Sequence, residues 1–255
     1  MTSHSSPTTP ATTALVTGAA GHLGSAITQT LVGRAMSVAV NDVDGDAARR
    51  LVDSVDGAMP FIADVSQPDE VVRLVTEVVE RLGPIDVLVN GAGVEGPVGA
   101  VEDLRPDDVR RAFEVNVISM FWLCKAIVAD MKRRGRGRIV NLASGAGLAG
   151  GALASPYHAS KHAVVGLTRS LARELGPHQI AVNAVCPGYV ESPMVDRILD
   201  AETALTGERS DVVATIPMGR MAQADEVAAT VAFLALDAPS YLTGHCLVID
   251  GGLRA

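Results

Sequence analysis

Seven short runs of near-continuous apolar, strand-forming sequence punctuate the chain, at residues 14–17, 37–41, 58–62, 85–89, 138–142, 180–185 and 246–249. Runs that lack an apolar/polar alternation belong to strands covered on both faces, as parallel strands are. Between them lie longer stretches with helical spacing. In 69–82, for example, Val71, Val72, Val75, Val78 and Val79 recur three and four apart and form one apolar stripe. Further helices are expected over 107–134 and 156–175, and a helical lid over 194–213. Strand–helix alternation of this kind predicts βαβ units and an α/β, doubly wound Rossmann fold, a seven-stranded parallel sheet flanked by helices. Its ligand site then lies at the carboxyl ends of the strands, where the strand order reverses.

The composition fits one domain. With 255 residues, 48% of them hydrophobic and 20% charged, there is ample material for a single core over residues 13–255. Residues 1–12, rich in Ser, Thr and Pro, read as a disordered tail. A net charge of −8 and only 3% aromatic residues argue against nucleic acid as a partner. No run of 18 apolar residues suggests a membrane span and no secretory signal opens the chain, so a cytoplasmic protein is expected. Cys124, Cys186 and Cys246 are odd in number and far apart, which fits core packing rather than disulfides, and no metal is expected.

The first candidate chemistry follows the first strand. Gly18, Gly21, His22, Leu23 and Gly24 sit in a glycine-rich turn that opens a helix, where backbone amides and the helix dipole can meet a pyrophosphate. Alone, that turn reads equally well as a tight connection without a ligand. Asp42, at the end of the second strand and followed by Val43, adds a carboxylate suited to the ribose hydroxyls of an adenosine. Its charge favours NAD over NADP, because a 2′-phosphate would meet like charge and no Arg or Lys lies nearby in sequence to offset it.

The second candidate is a proton-handling set. Tyr157 and Lys161 are four apart, hence on one face of the helix expected over 156–175. A tyrosine whose ordinary pKa is about 10 can exchange a proton near neutral pH when a neighbouring cation favours its phenolate. Ser144, after the fifth strand, offers a hydroxyl to hold a substrate oxygen. Each of these residues in isolation reads as an ordinary surface or turn residue.

Together the motifs resemble the short-chain dehydrogenase/reductase family over nearly the whole chain, from Ala14 to Gly252. The resemblance implies that Ser144 polarises a carbonyl, that Tyr157 is the general acid/base, and that Lys161 tunes Tyr157 and binds the nicotinamide ribose. It implies that Asn116 completes a proton path. Asp64 and Val65 match the family's adenine contact, and Asn90, Gly91, Ala92 and Gly93 match the segment after its fourth strand. Pro187, Gly188, Val190 and Ser192 fall in the segment that contacts the nicotinamide carboxamide. Two positions depart from the pattern. His22 stands where family members of this length have glycine, which gives the glycine spacing of the extended branch, and Gly91 stands where a second Asn is common.

The implied activity is hydride transfer between NAD(H) and a secondary alcohol or ketone, a small-molecule substrate that is cyclic, aliphatic, polyol or steroid-like. Two alternatives stay open: an NADPH-dependent 3-oxoacyl-[acyl-carrier-protein] reductase, and an NAD-binding sensor without catalysis. The basic run at 132–138 reads as cations at a helix end, or as a docking patch for an acidic carrier protein. The substrate pocket is expected from residues 94–99, 145–155 and 189–213, the second of these a small, flexible loop, with Glu95 and Glu191 as possible polyol ligands. A homo-oligomer, tetramer or dimer, is implied by the resemblance.

Overall fold

A computed structural model describes residues 12–255; the tail assigned to residues 1–12 lies almost wholly outside the described residues. Strands β1 (Thr13–Thr17), β2 (Ser37–Asp42), β3 (Ala58–Ile62), β4 (Ile85–Asn90), β5 (Gly137–Leu142), β6 (Ile180–Pro187) and β7 (Cys246–Ile249) all pair in parallel, in the order β3-β2-β1-β4-β5-β6-β7. The order reverses between β1 and β4, so a crevice opens at the carboxyl ends of these two strands.

Burial on both faces explains the continuous apolar runs. Along β1, Ala14 and Val16 enter one apolar cluster and Leu15 the other; Val38 and Val40 are likewise divided from Ala39 on β2, and Val87 and Val89 from Leu88 on β4. Helices α1 (His22–Gly33) and α8 (Ala224–Ala232) cover the first face. Helices α3 (Pro68–Leu82) and α5 (Ser119–Arg134) cover the second. Helix α2 (Gly45–Asp53) starts where the Asp44 carboxylate accepts from the Asp46 and Ala47 amides at 3.1 and 2.9 Å.

The helix expected over 107–134 exists, with one irregularity. Helix α4 (Pro106–Phe113) runs into a π-helical turn, Glu114–Ile118, which continues into α5. This run of 29 residues contains an 18-residue window of mean hydropathy 1.6, apolar enough to cross a membrane although no stretch is wholly apolar. Half of that window is buried against the rest of the protein, as in a core helix. Past Arg134 the chain turns at Gly135, whose φ of 62° suits glycine.

The basic run at 132–138 is committed to the fold. Arg134 bonds Asp130 at 2.6 Å, Asp86 at 2.5 Å and the Ile85 carbonyl at 2.5 Å. Arg138 donates to the Leu234 and Ala238 carbonyls at 3.2 and 2.8 Å, Lys132 and Arg136 pair with Glu174 and Asp86 at 3.3 Å, and Arg133 pairs with Asp130. Cys124 and Cys186 are buried and Cys246 is partly so, all three as free thiols.

Candidate active site

The crevice holds two adjoining cavities. The larger, about 440 Å³, is lined by Gly18, Gly21, His22, Leu23, Gly24, Asp42, Val43, Asp64, Val65, Gly91, Ala92, Gly93 and Ser192, all expected from the sequence. The smaller, about 170 Å³, is lined by Ser144, Tyr157, Pro187 and Gly188 among others. Met194, from helix α7 (Pro193–Thr206), lines both.

The glycine turn is built for close approach. Gly18 has φ 63°, in the left-handed region, and a Cβ on it would lie 2.8 Å from the Ala92 Cα. A Cβ on Gly24 would come within 2.6 Å of the Ala19 Cα, so the start of α1 packs directly under the turn. Asp42 fastens this arrangement: its carboxylate accepts from the Ala20 amide at 3.0 Å and from the Asp44 amide at 3.1 Å. His22 is the first residue of α1, exposed at the cavity's edge beside the unsatisfied amides of the helix start. At the far end, Asp64 accepts from the Ser66 amide at 2.9 Å, the Ser66 hydroxyl at 2.7 Å and Arg111 at 3.3 Å. Burial works to raise the Asp64 carboxyl, yet these partners outweigh it and hold it below the ordinary range.

The proton-handling residues meet where the cavities join. Ser144 follows β5, and helix α6 (Ser155–Leu175) carries Tyr157 and Lys161 on one face. The Lys161 ammonium lies 5.7 Å from the centre of the Tyr157 ring. It is buried and donates to the Leu142 carbonyl at 2.8 Å, and burial lowers it to about 8. Burial also raises the Tyr157 phenol; a hydrogen bond with Ser144 acts the opposite way, and the Glu95 carboxylate adds to the rise. Asn116, fully buried in the π-helical turn, accepts from the Val94 amide at 2.8 Å and donates to the Val94 carbonyl at 2.9 Å and Ser160 at 3.0 Å. Asn116 and Lys161 therefore stand behind the cavity wall, where a Cβ on Gly93 would lie 3.3 Å from the Asn116 Oδ1 and 3.6 Å from the Lys161 Nζ.

Several expected residues lie elsewhere. Asn90 is buried beneath the crevice and donates to Asn141 at 2.8 Å, which in turn donates to Thr168 at 2.9 Å, so its side chain ties β4, β5 and α6 together. Val190 is buried in the core and lines neither cavity. Glu95 is gripped by Arg197 of α7 through two bonds of 2.6 and 3.3 Å, and Glu191 is exposed outside both cavities. Of the expected pocket segments, 94–99 contributes Val94 alone, whereas 189–213 contributes Tyr189 and the inner face of α7.

The loop 145–155 contributes Gly145, Ala146 and Ala154 to the smaller cavity. A Cβ on Gly147 would meet the Lys161 carbonyl oxygen at 2.6 Å, and one on Gly151 would strike the His158 ring; these glycines permit tight packing onto α6. Arg197 of the expected segment 189–213 lines the larger cavity, and residues that no expected segment contains line the site too: Arg111 in the larger cavity, Leu253 and Arg254 in the smaller. They arrive from remote segments, and nothing in their local sequence marks them.

Comparison with known proteins agrees with this geometry. The family described as Enoyl-(Acyl carrier protein) reductase matches residues 18–254. The chain is 35% identical over 245 residues to the 3-oxoacyl-[acyl-carrier-protein] reductase FabG of Thermotoga maritima, covering 94% of this chain and 96% of that protein. It is also 35% identical over 245 residues to a 2,5-dichloro-2,5-cyclohexadiene-1,4-diol dehydrogenase of Sphingobium indicum, covering 95% and 97%. The crystal structure of an NAD+-bound xylitol dehydrogenase superposes with a TM-score of 0.91 at 32% identity, covering 94% of this chain and 98% of the other.

Proposed function

The chain belongs to the short-chain dehydrogenase/reductase family of oxidoreductases, and from that premise we propose that it is an NAD-dependent dehydrogenase of small secondary alcohols. The observation that carries the reading is the convergence of Ser144 and Tyr157 on the small cavity, with the Lys161 ammonium 5.7 Å from the Tyr157 ring.

The larger cavity suits a dinucleotide. Its glycine cradle leaves no room for a Cβ at Gly18 or Gly24, it begins at a helix N-terminus, and Val43 presents an apolar side chain that is 66% exposed at its edge, a surface against which an adenine ring can lie. Gly18, Gly21 and Gly24 would hold the pyrophosphate, Asp42 the adenosine ribose, and Asp64 and Val65 the adenine. Asp42 supports NAD: Arg111 and Arg197 line the cavity but are bonded to Asp64 and Glu95, respectively. A bound nicotinamide cofactor supplies the hydride acceptor for oxidation and the donor for reduction.

The chain's own residues manage the proton. Ser144 holds the substrate oxygen, and Tyr157 takes the hydroxyl proton during oxidation and returns it during reduction. Lys161, with its ammonium 5.7 Å from the centre of the Tyr157 ring, would place positive charge beside the phenol and favour its ionised form. Asn116 fixes the Val94 backbone next to Lys161. In the oxidative direction an alcohol loses a hydride and a proton and becomes a ketone.

Similarity to FabG supports a second reading, NADPH-linked reduction of a carrier-bound 3-oxoacyl group. Asp42, and the ion pairs and hydrogen bonds that the cations of 132–138 make within the fold, favour the first. We further propose a cytoplasmic homo-oligomer, supported by apolar side chains left exposed at Phe121, on the edge strand at Val248, and at Tyr241.

Following nicotinamide absorbance with NAD and NADP in parallel, over secondary alcohols, polyols, steroids and a 3-hydroxyacyl thioester, tests the proposal. NAD-linked turnover of an alcohol supports it. Turnover confined to NADP and the thioester selects the second reading, and cofactor binding without turnover selects the non-catalytic sensor.

A further inference from the structure

We infer that Arg254 makes the small cavity a receptor for a carboxylate, so that the substrates are hydroxycarboxylates, an inference that rests on the dehydrogenase reading above. The cavity is about 170 Å³, below the roughly 300–1,000 Å³ typical of sites for drug-sized ligands, so its occupant is small. Its walls are mainly apolar, contributed by Ala146, Met194, Val195, Ile198 and Leu253. Into this surface comes one arginine.

The Arg254 guanidinium lies against Gly145, the residue after Ser144; a Cβ at 145 would come within 2.6 Å of its Nη1 and 2.8 Å of its Cζ. Arg254 lines the same cavity as Ser144 and Tyr157. Among the described residues its one ion-pair partner is Asp250, 3.7 Å from Nη1 and beyond hydrogen-bond range. The Asp250 Oδ1 already accepts from the Gly252 amide at 3.0 Å, and its buried Oδ2 has no hydrogen-bond donor. Asp250 thus holds the cation in place by charge and leaves its N–H groups unused.

A guanidinium offers five donors in a planar fork. With the Arg254 side chain only 27% exposed, those donors lack both full hydration and protein partners. An entering carboxylate satisfies them in pairs, a match that a hydroxyl or ester cannot reproduce. Glu202 lines the same cavity and forms no ion pair with Arg254. The substrate this geometry selects carries its carbinol at Ser144 and Tyr157 and its carboxylate a few carbons away.

The test is calorimetric titration of the intact protein, in the presence of NAD, with cyclohexanecarboxylate, cyclohexylmethanol and cyclohexylmethylamine. The acid should bind about tenfold or more tightly than the alcohol, as charge-assisted bonds predict. That advantage should vanish in Arg254→Gln, persist in part in Arg254→Lys, and shrink in Gly145→Ala, whose new methyl displaces the guanidinium. In turnover, the ratio of kcat/KM for 3-hydroxycyclohexanecarboxylate to that for its methyl ester should fall toward one in Arg254→Gln. Equal binding of acid and alcohol, or an acid preference untouched by Arg254→Gln, overturns the inference. Preferred binding of the amine overturns it too and assigns the cavity's charge recognition to Glu202. Acid-selective binding without turnover of any alcohol would leave the carboxylate receptor standing and sink the dehydrogenase reading.

Discussion

The Lys161 ammonium, 5% exposed, donates a 2.8 Å hydrogen bond to the Leu142 carbonyl at the end of β5. One backbone acceptor does not replace the hydration of an ammonium, and burial accordingly lowers Lys161 to about 8 from an ordinary value of 10.5. The unfolded chain therefore binds this proton more tightly than the folded protein. The resulting penalty on stability is fully present below about pH 8 and is relieved as the pH rises from 8 to 10.5. Lys161→Met should be more stable than the parent at pH 7, by up to about 3 kcal/mol, and should lose most of that advantage by pH 10. Urea denaturation at both pH values measures it; a constant difference refutes the assignment.

Tyr157→Phe removes the hydroxyl that moves the proton and leaves the ring in place. Turnover should fall by about 10²–10⁴, the usual contribution of a positioned general acid/base. The larger cavity does not include Tyr157, so NADH affinity, read by nucleotide fluorescence, should change by less than about twofold. A fully active variant refutes the role.

Asp42→Ala tests cofactor choice. Loss of a charged hydrogen-bond acceptor for the ribose should weaken NAD about tenfold or more, and removing the negative charge should raise NADP affinity relative to NAD. The variant also frees the Ala20 amide, so a melting curve should accompany the titrations. An unchanged NADP-to-NAD ratio counts against the role given to Asp42.

Gly24→Ala and Gly33→Ala make a matched pair on α1. The first methyl would press on the Ala19 Cα and the Gly18 carbonyl, backbone atoms with nowhere to move, and should cost about 1–3 kcal/mol. The second meets nothing within 4 Å and should stabilise by about 0.5 kcal/mol through helix propensity. Thermal and urea unfolding of both variants decide whether the turn is as tight as described.

Legibility in the sequence followed the range of the forces involved. Each strand was visible to within two residues, the central ones because two-sided burial imposes an unbroken apolar run and the half-exposed edge strands β3 and β7 because they keep the same strand-forming composition, and the largest shortfall, at β6, lay in Cys186 and Pro187. Tyr157 and Lys161 were visible because helical spacing fixes their shared face, and Ser144 because it follows a strand. Asn90, in the motif matched at the fourth strand, turns its side chain to a buried partner on β5, and a polar residue at a strand end looks the same in sequence whether it faces a ligand or the interior. For Arg197 the segment was visible and the role was not, because its partner Glu95 is 102 positions away, and Arg254 was not visible because its contact is with Gly145, remote in sequence. The glycines at 147 and 151 suggested mobility, yet the contact that requires them is with α6.

The π-helical turn at Glu114–Ile118 works as a phase shifter. The helical run on its amino side seats Ala112 in the interior, and the run on its carboxyl side seats Leu123, Ile127 and Met131 against the sheet. Each residue of an α-helix advances the azimuth by about 100°. Deleting one residue from α5 beyond the turn would rotate the rest of that helix by about this angle relative to α4, so only one of the two could keep its apolar side inward. The helix that follows Asn116 is thus fixed in length as well as in composition.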